Sequence, residues 1–536
     1  MNTHPESEPA REGVIIRQLP TGVPGLDEIL GGGLPEYSFN ILAGAPGSGK
    51  TTLAHQIVFA NASPERPALY FTVLGEPAIK MLRYQQQFTF FDQARLDGSI
   101  RFVNLSQMVL DNDLGAVLEE IIKEVEASGA KIVVVDSFRT VVRRAQASAS
   151  EMELQGFIQR LALHLTSWQA TTFLIGEYVE GELRDNPVFT VADGLLWLYQ
   201  IVERNSIVRK MQIMKVRGQE SVPGLHTFRI TESGLQTFPR TFGLTAAASH
   251  VKGRRRLSTG VRELDAIMGG GIPEGDSLLV AGPSGAGKTV LGIQFIAEGL
   301  RHGEPGIVAM FEELPNEYVE RAASFGCDFK APQDDGSLKI IYLRPLDLSV
   351  DETLHEVVGA VKQIGCKRLV IDSLVGFELA LAPGFRADFR ESLYRMIGAL
   401  TRMGVTIIST VEIEENFTSL SLSNFTVSFL ADDILRLRYV SINGQLRKML
   451  FVVKMRRSRH SIDMFEYQIT PQGMIVGEPL RGYRGLISSI PGPWSAESGR
   501  NDPEPQQSPA YGERQHDNRP RRPTESPPEL EGQSNE

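Results

Sequence analysis

The chain is poor in cysteine, in long apolar runs and in positive charge, and each shortage removes a class of protein. Cys327 and Cys366 are the two cysteines in 536 residues. Two thiols exclude a disulfide framework, and both read as buried core groups. No apolar run reaches the roughly 18 residues that a membrane-spanning helix requires. Lys and Arg number 55 against 65 Asp and Glu, a net charge of −10. A protein built to coat nucleic acid favours a basic domain instead. The first residues, Met1 to Glu8, are polar and acidic, unlike the basic-then-apolar leader of a secreted chain. The expectation is a cytoplasmic protein without membrane contact, for which nucleic acid is an unlikely partner. At 42% apolar and 22% charged residues the composition is that of a globular protein. The length exceeds what one core supports and suggests about two to four domains.

What the chain does have, it has twice. Gly44-Ala-Pro-Gly-Ser-Gly-Lys50-Thr51 is followed 238 residues later by Gly282-Pro-Ser-Gly-Ala-Gly-Lys288-Thr289. Both fit the phosphate-loop pattern of Gly, four residues and Gly-Lys-Ser/Thr. Each follows a strand-like run (39–43, 277–281) and opens a helix-like one (52–60, 290–300). Glycines let backbone N–H groups close around phosphate oxygens, and the helix N-terminus adds favourable dipole charge. The expected ATP-binding residues are Gly44, Gly47, Ser48, Gly49, Lys50, Thr51 and Thr52 in the first copy. Their equivalents are Gly282, Gly285, Ala286, Gly287, Lys288, Thr289 and Val290. Lys50 and Lys288 are placed on the β- and γ-phosphates, Thr51 and Thr289 on Mg²⁺.

The duplication extends well beyond the loops. Residues 19–52 and 257–290 align without gaps at 18 identities in 34 positions. The offset is still 236 between Asp136 and Asp372 and 239 between Lys215 and Lys454. A register kept over such a length means a repeated domain rather than a short-period solenoid. Within each copy, β-branched runs alternate with helical patterns, the mark of a mostly parallel sheet. Strands are expected at 39–43, 69–73, 131–135 and 172–175, then at 277–281, 306–311, 368–371 and 406–410. Helices 151–168 and 388–403 carry apolar stripes, Leu154, Phe157, Ile158, Leu161 and Leu165 in the first, Phe389, Leu393, Met396, Ile397 and Leu400 in the second. The pairs 194–202 with 206–215 and 433–440 with 448–454 suggest antiparallel additions at one sheet edge. The fold class is α/β, with domains at 12–250 and 251–488. Residues 1–11 and the Pro-, Glu- and Ser-rich 489–536 are expected to be disordered. The join near 245–256, with its basic Lys252-Gly-Arg-Arg-Arg256, reads as a solvated linker or as a surface touching nucleic acid or a partner.

A phosphate loop needs a carboxylate for magnesium, and an apolar strand ending in Asp136-Ser137 or Asp372-Ser373 supplies one. It lies 86 residues after Lys50 and 84 after Lys288. The metal set is therefore Thr51 with Asp136, and Thr289 with Asp372 and Glu312. In the second copy, Phe311-Glu312-Glu313 ends the next strand with two acids. One orients or deprotonates the nucleophile and the other binds metal or steadies the first. Glu312, Glu313 and Lys288 form the catalytic set. The first copy places Leu74 and Gly75 there, with Glu76 one position late, and a one-residue shift on a strand reverses the face. The first site is expected to bind nucleotide and hydrolyse it slowly. Lys215-Val-Arg217 and Lys454-Met-Arg456 each put two cations on one strand face. They read as a solvated face or as a finger reaching a γ-phosphate on a neighbouring subunit.

Taken together, the repeated Thr-Gly-Val, Leu-Asp, Gly-Gly-Gly and Pro-Glu run, the loops, Phe311-Glu312-Glu313, the Asp-Ser strand ends and the Lys-x-Arg strands resemble the KaiC family. These are double-domain ATPases of the RecA superfamily, found in the circadian clock and outside it. The resemblance spans roughly residues 12–488. It implies two tandem RecA-like P-loop NTPase domains in a double-ring homohexamer with ATP and Mg at the subunit interfaces. It further implies that Lys215, Arg217, Lys454, Arg456, Ser458 and His460 contact nucleotide in trans. The first ring would be chiefly an ATPase, and the second an autokinase and autophosphatase on a Ser-Thr pair. Alignment puts that pair at Ser428-Phe429, so the threonine is missing, and Thr426 and Ser423 are alternative acceptors. Ser221 stands where a nucleotide-contacting histidine is expected in the first copy, while His460 keeps that register in the second. Three readings follow. One is an ATPase and serine/threonine autokinase acting as a signalling switch towards regulatory proteins that no motif names. The others are an ATP-gated hexameric scaffold and a RecA-type nucleic-acid motor, which the acidic charge disfavours.

Overall fold

A computed structural model describes residues 16–73, 78–96, 98–110, 114–146, 151–183, 186–203, 206–240, 255–343, 349–381, 383–386, 389–413, 431–484, 486 and 492–493. Each half builds one nine-stranded sheet. The first comprises β1 (Phe39–Gly44), β2 (Ala68–Thr72), β3 (Ile100–Asn104), β4 (Ile132–Asp136), β5 (Thr171–Glu177), β6 (Gly194–Glu203), β7 (Ser206–Val216), β8 (Leu225–Thr231) and β9 (Gly234–Phe238). Their spatial order is β3-β2-β4-β5-β1-β6-β7-β8-β9. The second comprises β10 (Ser277–Gly282), β11 (Gly306–Met310), β12 (Leu338–Tyr342), β13 (Arg368–Asp372), β14 (Thr406–Glu412), β15 (Asp433–Ile442), β16 (Gln445–Met455), β17 (Phe465–Thr470) and β18 (Gly473–Pro479). It repeats the order as β12-β11-β13-β14-β10-β15-β16-β17-β18.

The strands up to β6 and β15 run parallel, and those beyond run antiparallel. The central strands are buried on both faces, which is why β4 reads Ile-Val-Val-Val without alternation. One face of the first sheet packs on helices Leu114–Ser128 and Glu151–Ser167 through Val117, Ile121, Phe157, Ile158, Leu161 and Leu165. The other face covers helix Lys50–Asn61 through Leu53, Ala54 and Ile57. The expected stripe on helix Phe389–Arg402 is buried in the second core. Each fully buried Val, Leu, Ile, Phe or Met among these is worth about 1.5–3 kcal/mol of transfer free energy.

Several expectations need correction. β6 and β15 pair in parallel with the loop strand, so the antiparallel additions begin one strand later. The edge strands β3 and β12 were not foreseen, because each is partly exposed and lacks a continuous apolar run. β11 stops at Met310, so Glu312 and Glu313 lie beyond it and alternation along a strand does not decide where they point. The two halves meet through Arg229 with Glu352 at 2.5 Å and Arg240 with Glu391 at 3.1 Å. The 1–11 and 489–491 calls, the tail from 494 and the 245–254 part of the linker lie outside the described residues.

Candidate functional site

At the carboxyl edge of the first sheet, three neighbouring strands end together. β4 ends in Asp136, β5 in Glu177 and β1 in the loop glycine Gly44. Gly44 is obligatory there, since a Cβ would lie 2.1 Å from the carbonyl oxygen of Leu198. Gly49 starts the loop helix with a left-handed φ of 101°, and Gly287 does the same at 96°. Lys50 is buried, and its ammonium donates to the carbonyl of Ala45 at 2.8 Å. Thr51 Oγ1 donates to Asp136 Oδ2 at 2.9 Å, as does the Tyr70 hydroxyl at 2.9 Å. Burial pushes the Asp136 carboxyl up, while these two hydrogen bonds and the Lys50 charge hold it down. Gly47, Gly49, Lys50, Thr51, Thr52, Asp136 and Glu177 are among the residues lining a cleft of about 260 Å³. The buried hydroxyl of Ser48 has no partner among the described residues.

The second site has the same frame. Lys288 donates to the carbonyls of Gly282 at 3.0 Å and Pro283 at 2.8 Å. Asp372 is held by Thr410 Oγ1 at 2.5 Å. Ser373, which caps helix Leu374–Ala380, donates its hydroxyl to Glu312 Oε1 at 2.9 Å. Gly376 makes room for that carboxylate, because a Cβ there would lie 2.4 Å from Glu312 Oε1. Glu313 turns aside to Arg321 at 2.7 Å. Burial raises the pKa of Glu313 against the pull of Arg321. The two acids are thus separated, one towards the loop and one onto a neighbouring helix. Glu76 lies outside the described residues, so the first site has no observed counterpart.

Lys215 and Arg217 point together. Lys215 donates to the Thr190 carbonyl at 3.2 Å, and Arg217 to the same oxygen at 3.4 Å and to Asp193 at 3.1 Å. Lys454 donates to the Ala431 carbonyl at 2.8 Å, and Arg456 lies 3.9 Å from Asp432. Neither pair is level with its own loop. Lys215 is in register with Leu195 and so with Ile41, three residues before Gly44, about 10 Å back along the strand. Lys454 is level with Leu279, again three residues before the loop glycine. Ser458 donates to Met455 Sδ at 3.3 Å, and His460 Nδ1 lies 2.9 Å from the Ser461 carbonyl. Ser423, Thr426 and Ser428 lie outside the described residues.

Glu177 and Glu412 went unnoticed in the sequence. Burial draws both loop lysines below their ordinary pKa. The largest opposing charge is Glu177 for Lys50, then Asp136, and Glu412 for Lys288, then Asp372 and Glu312. Each glutamate ends the strand beside the loop strand, opposite the loop glycine. Superposing the repeats would have revealed them as matched carboxylates. The cradle of left-handed glycines, the unpartnered Ser48 hydroxyl and the hard oxygens of Thr51 and Asp136 fit a magnesium-bound polyphosphate. Among the described residues no helix is long and apolar enough to cross a membrane.

A family profile described as ATPase: KaiC matches residues 19–241 and again 257–481. The circadian clock oscillator protein KaiC 1 of Synechocystis sp. is 30% identical over 489 residues, covering 89% of this chain and 92% of that protein. The circadian clock oscillator protein KaiC of Picosynechococcus sp. is 29% identical over 487 residues, covering 89% and 92%. The circadian clock protein KaiC3 of Synechocystis sp. is 28% identical over 490 residues, covering 89% and 95%.

Proposed function

The chain belongs to the KaiC family of ATPases and is a KaiC-like ATP-binding protein, and from that premise we propose an ATP-driven autokinase whose chemistry is concentrated in its second domain. Residues 12–250 form the first domain and 251–488 the second. Lys288 neutralises the terminal phosphates, while Thr289 and Asp372, joined by Glu312, would hold Mg²⁺. The ion, when bound, offsets the phosphate charge. Glu312, steadied by Ser373, orients the nucleophile, and Glu313 fixes the segment through Arg321. Six copies assemble as a cytoplasmic ring with ATP between subunits. Lys454, Arg456, Ser458 and His460 complete a neighbour's site, as Lys215 and Arg217 do in the first ring. Nucleotide state then sets how regulatory proteins dock. The acceptor is Ser428, Thr426 or Ser423. The first site binds ATP, steadies the ring and turns over slowly.

The observation that carries this reading is the 2.9 Å bond from Ser373 to Glu312, one residue past Asp372 and beside Lys288. Incubation of the full chain with labelled ATP, followed by mass spectrometry, tests it. Covalent phosphate in 423–428 is expected, and turnover without label would leave an ATP-gated scaffold. Glu312→Gln should cut turnover about 100-fold with ATP still bound, and Glu313→Gln less. Equal loss in the two variants would refute the division of roles.

A further inference from the structure

Strands β5 and β14 occupy the same place in the two domains, yet their sequences have diverged. Thr-Thr-Phe-Leu-Ile-Gly-Glu177 and Thr-Ile-Ile-Ser-Thr-Val-Glu412 agree at their first and last positions alone. The first agreement has a structural cause. Thr171 Oγ1 accepts from the Tyr37 N–H at 2.9 Å, and Thr406 Oγ1 from the Gly275 N–H at 2.9 Å. No such cause accounts for the glutamates. Both are exposed at the strand end, and among the described residues neither carboxylate has a hydrogen-bond partner. Both instead stand opposite the loop glycine, at the end of the strand between the Asp-bearing strand and the loop strand, and Glu177 lines one cleft with Lys50 and Thr51.

We propose that Glu412 is a positioning residue for Lys288, as Glu177 is for Lys50, setting where the ammonium meets the terminal phosphate. This rests on the reading of the loops as ATP sites and adds a group to it. Lys288 leans on the carbonyls of Gly282 and Pro283, which are neutral and close by. A carboxylate across the cleft gives the ammonium a second, charged attraction, directed towards the strand end and away from the loop carbonyls. The acids at 312 and 313 differ between the copies and this one does not. Its task is therefore the one both sites share, placing the lysine. Because Glu412 acts through Lys288, its loss should be felt in the chemical step more than in binding.

ATP turnover of the full chain with Glu412→Gln, Glu412→Asp and Glu312→Gln provides the test. The Gln variant should lose about tenfold in kcat while KM stays within about twofold or falls. The Asp variant, with charge kept and reach shortened, should recover most of the rate. An unchanged kcat, or a rise in KM with equal loss in Gln and Asp, overturns the proposal, the latter being the mark of loop damage. If Glu312→Gln silences the enzyme and Glu412→Gln does not, this inference alone fails. If neither has an effect, the site reading itself fails.

Discussion

At the start of β15, Asp433 is fully buried, and burial with the charges of Asp276 and Asp432 pushes its carboxyl up to about 7. The folded chain therefore holds this proton more tightly than the unfolded chain, whose Asp titrates near 4. Stability falls as pH rises from about 4 to about 7, by on the order of a few kcal/mol, and the full cost remains above that window. Asp433→Asn mimics the protonated form. Its melting temperature should exceed the parent's at pH 8 and match it near pH 4.5. A difference that does not change with pH would show that another group dominates. Such a residue is invisible in the sequence because Asp276, the larger of the two charges, lies far from it along the chain. Glu177 and Glu412 escaped notice for the same reason, whereas Asp136 and Asp372 stood out because a local apolar run precedes each.

Among the elements, helix Leu374–Ala380 starts at Ser373 and so ties the end of β13 to Glu312. Gly376 is inside it, where Ala would ordinarily add about 1 kcal/mol. Here the added Cβ would meet the Glu312 carboxylate at 2.4 Å. Gly376→Ala is expected to fold with unchanged or higher melting temperature, yet lose at least about tenfold in ATP turnover. A fully active variant would mean that Glu312 has room to work elsewhere. The phosphate loops, the buried parallel strands and the major helices were legible because glycine spacing and continuous apolar runs are local signals. The half-exposed edge strands were not, and neither was the end of β11, since Phe311 is buried like a strand residue but lies past the strand. That boundary decided how the acids at 312 and 313 are read.

Over the whole molecule, the duplication read from the sequence is reproduced as two sheets of identical strand order. Their frames agree while the acids at 312 and 313 align with Leu74 and Gly75 in the first copy, because a sheet's order depends on buried strands and its sites on the residues just past their ends. The placement of the Lys-x-Arg pairs, three residues short of their own loops, separates the two parts of each proposed site within one chain. Two defective chains should then repair one another. A Lys288→Ala chain has an intact cation pair and no working loop; a Lys454→Ala/Arg456→Ala chain has the reverse. Mixed one to one before assembly, they should recover up to about a quarter of the wild-type rate, since a random ring joins a good loop to a good pair at that share of its interfaces. A mixture as inert as its components would mean that each chain completes its own site.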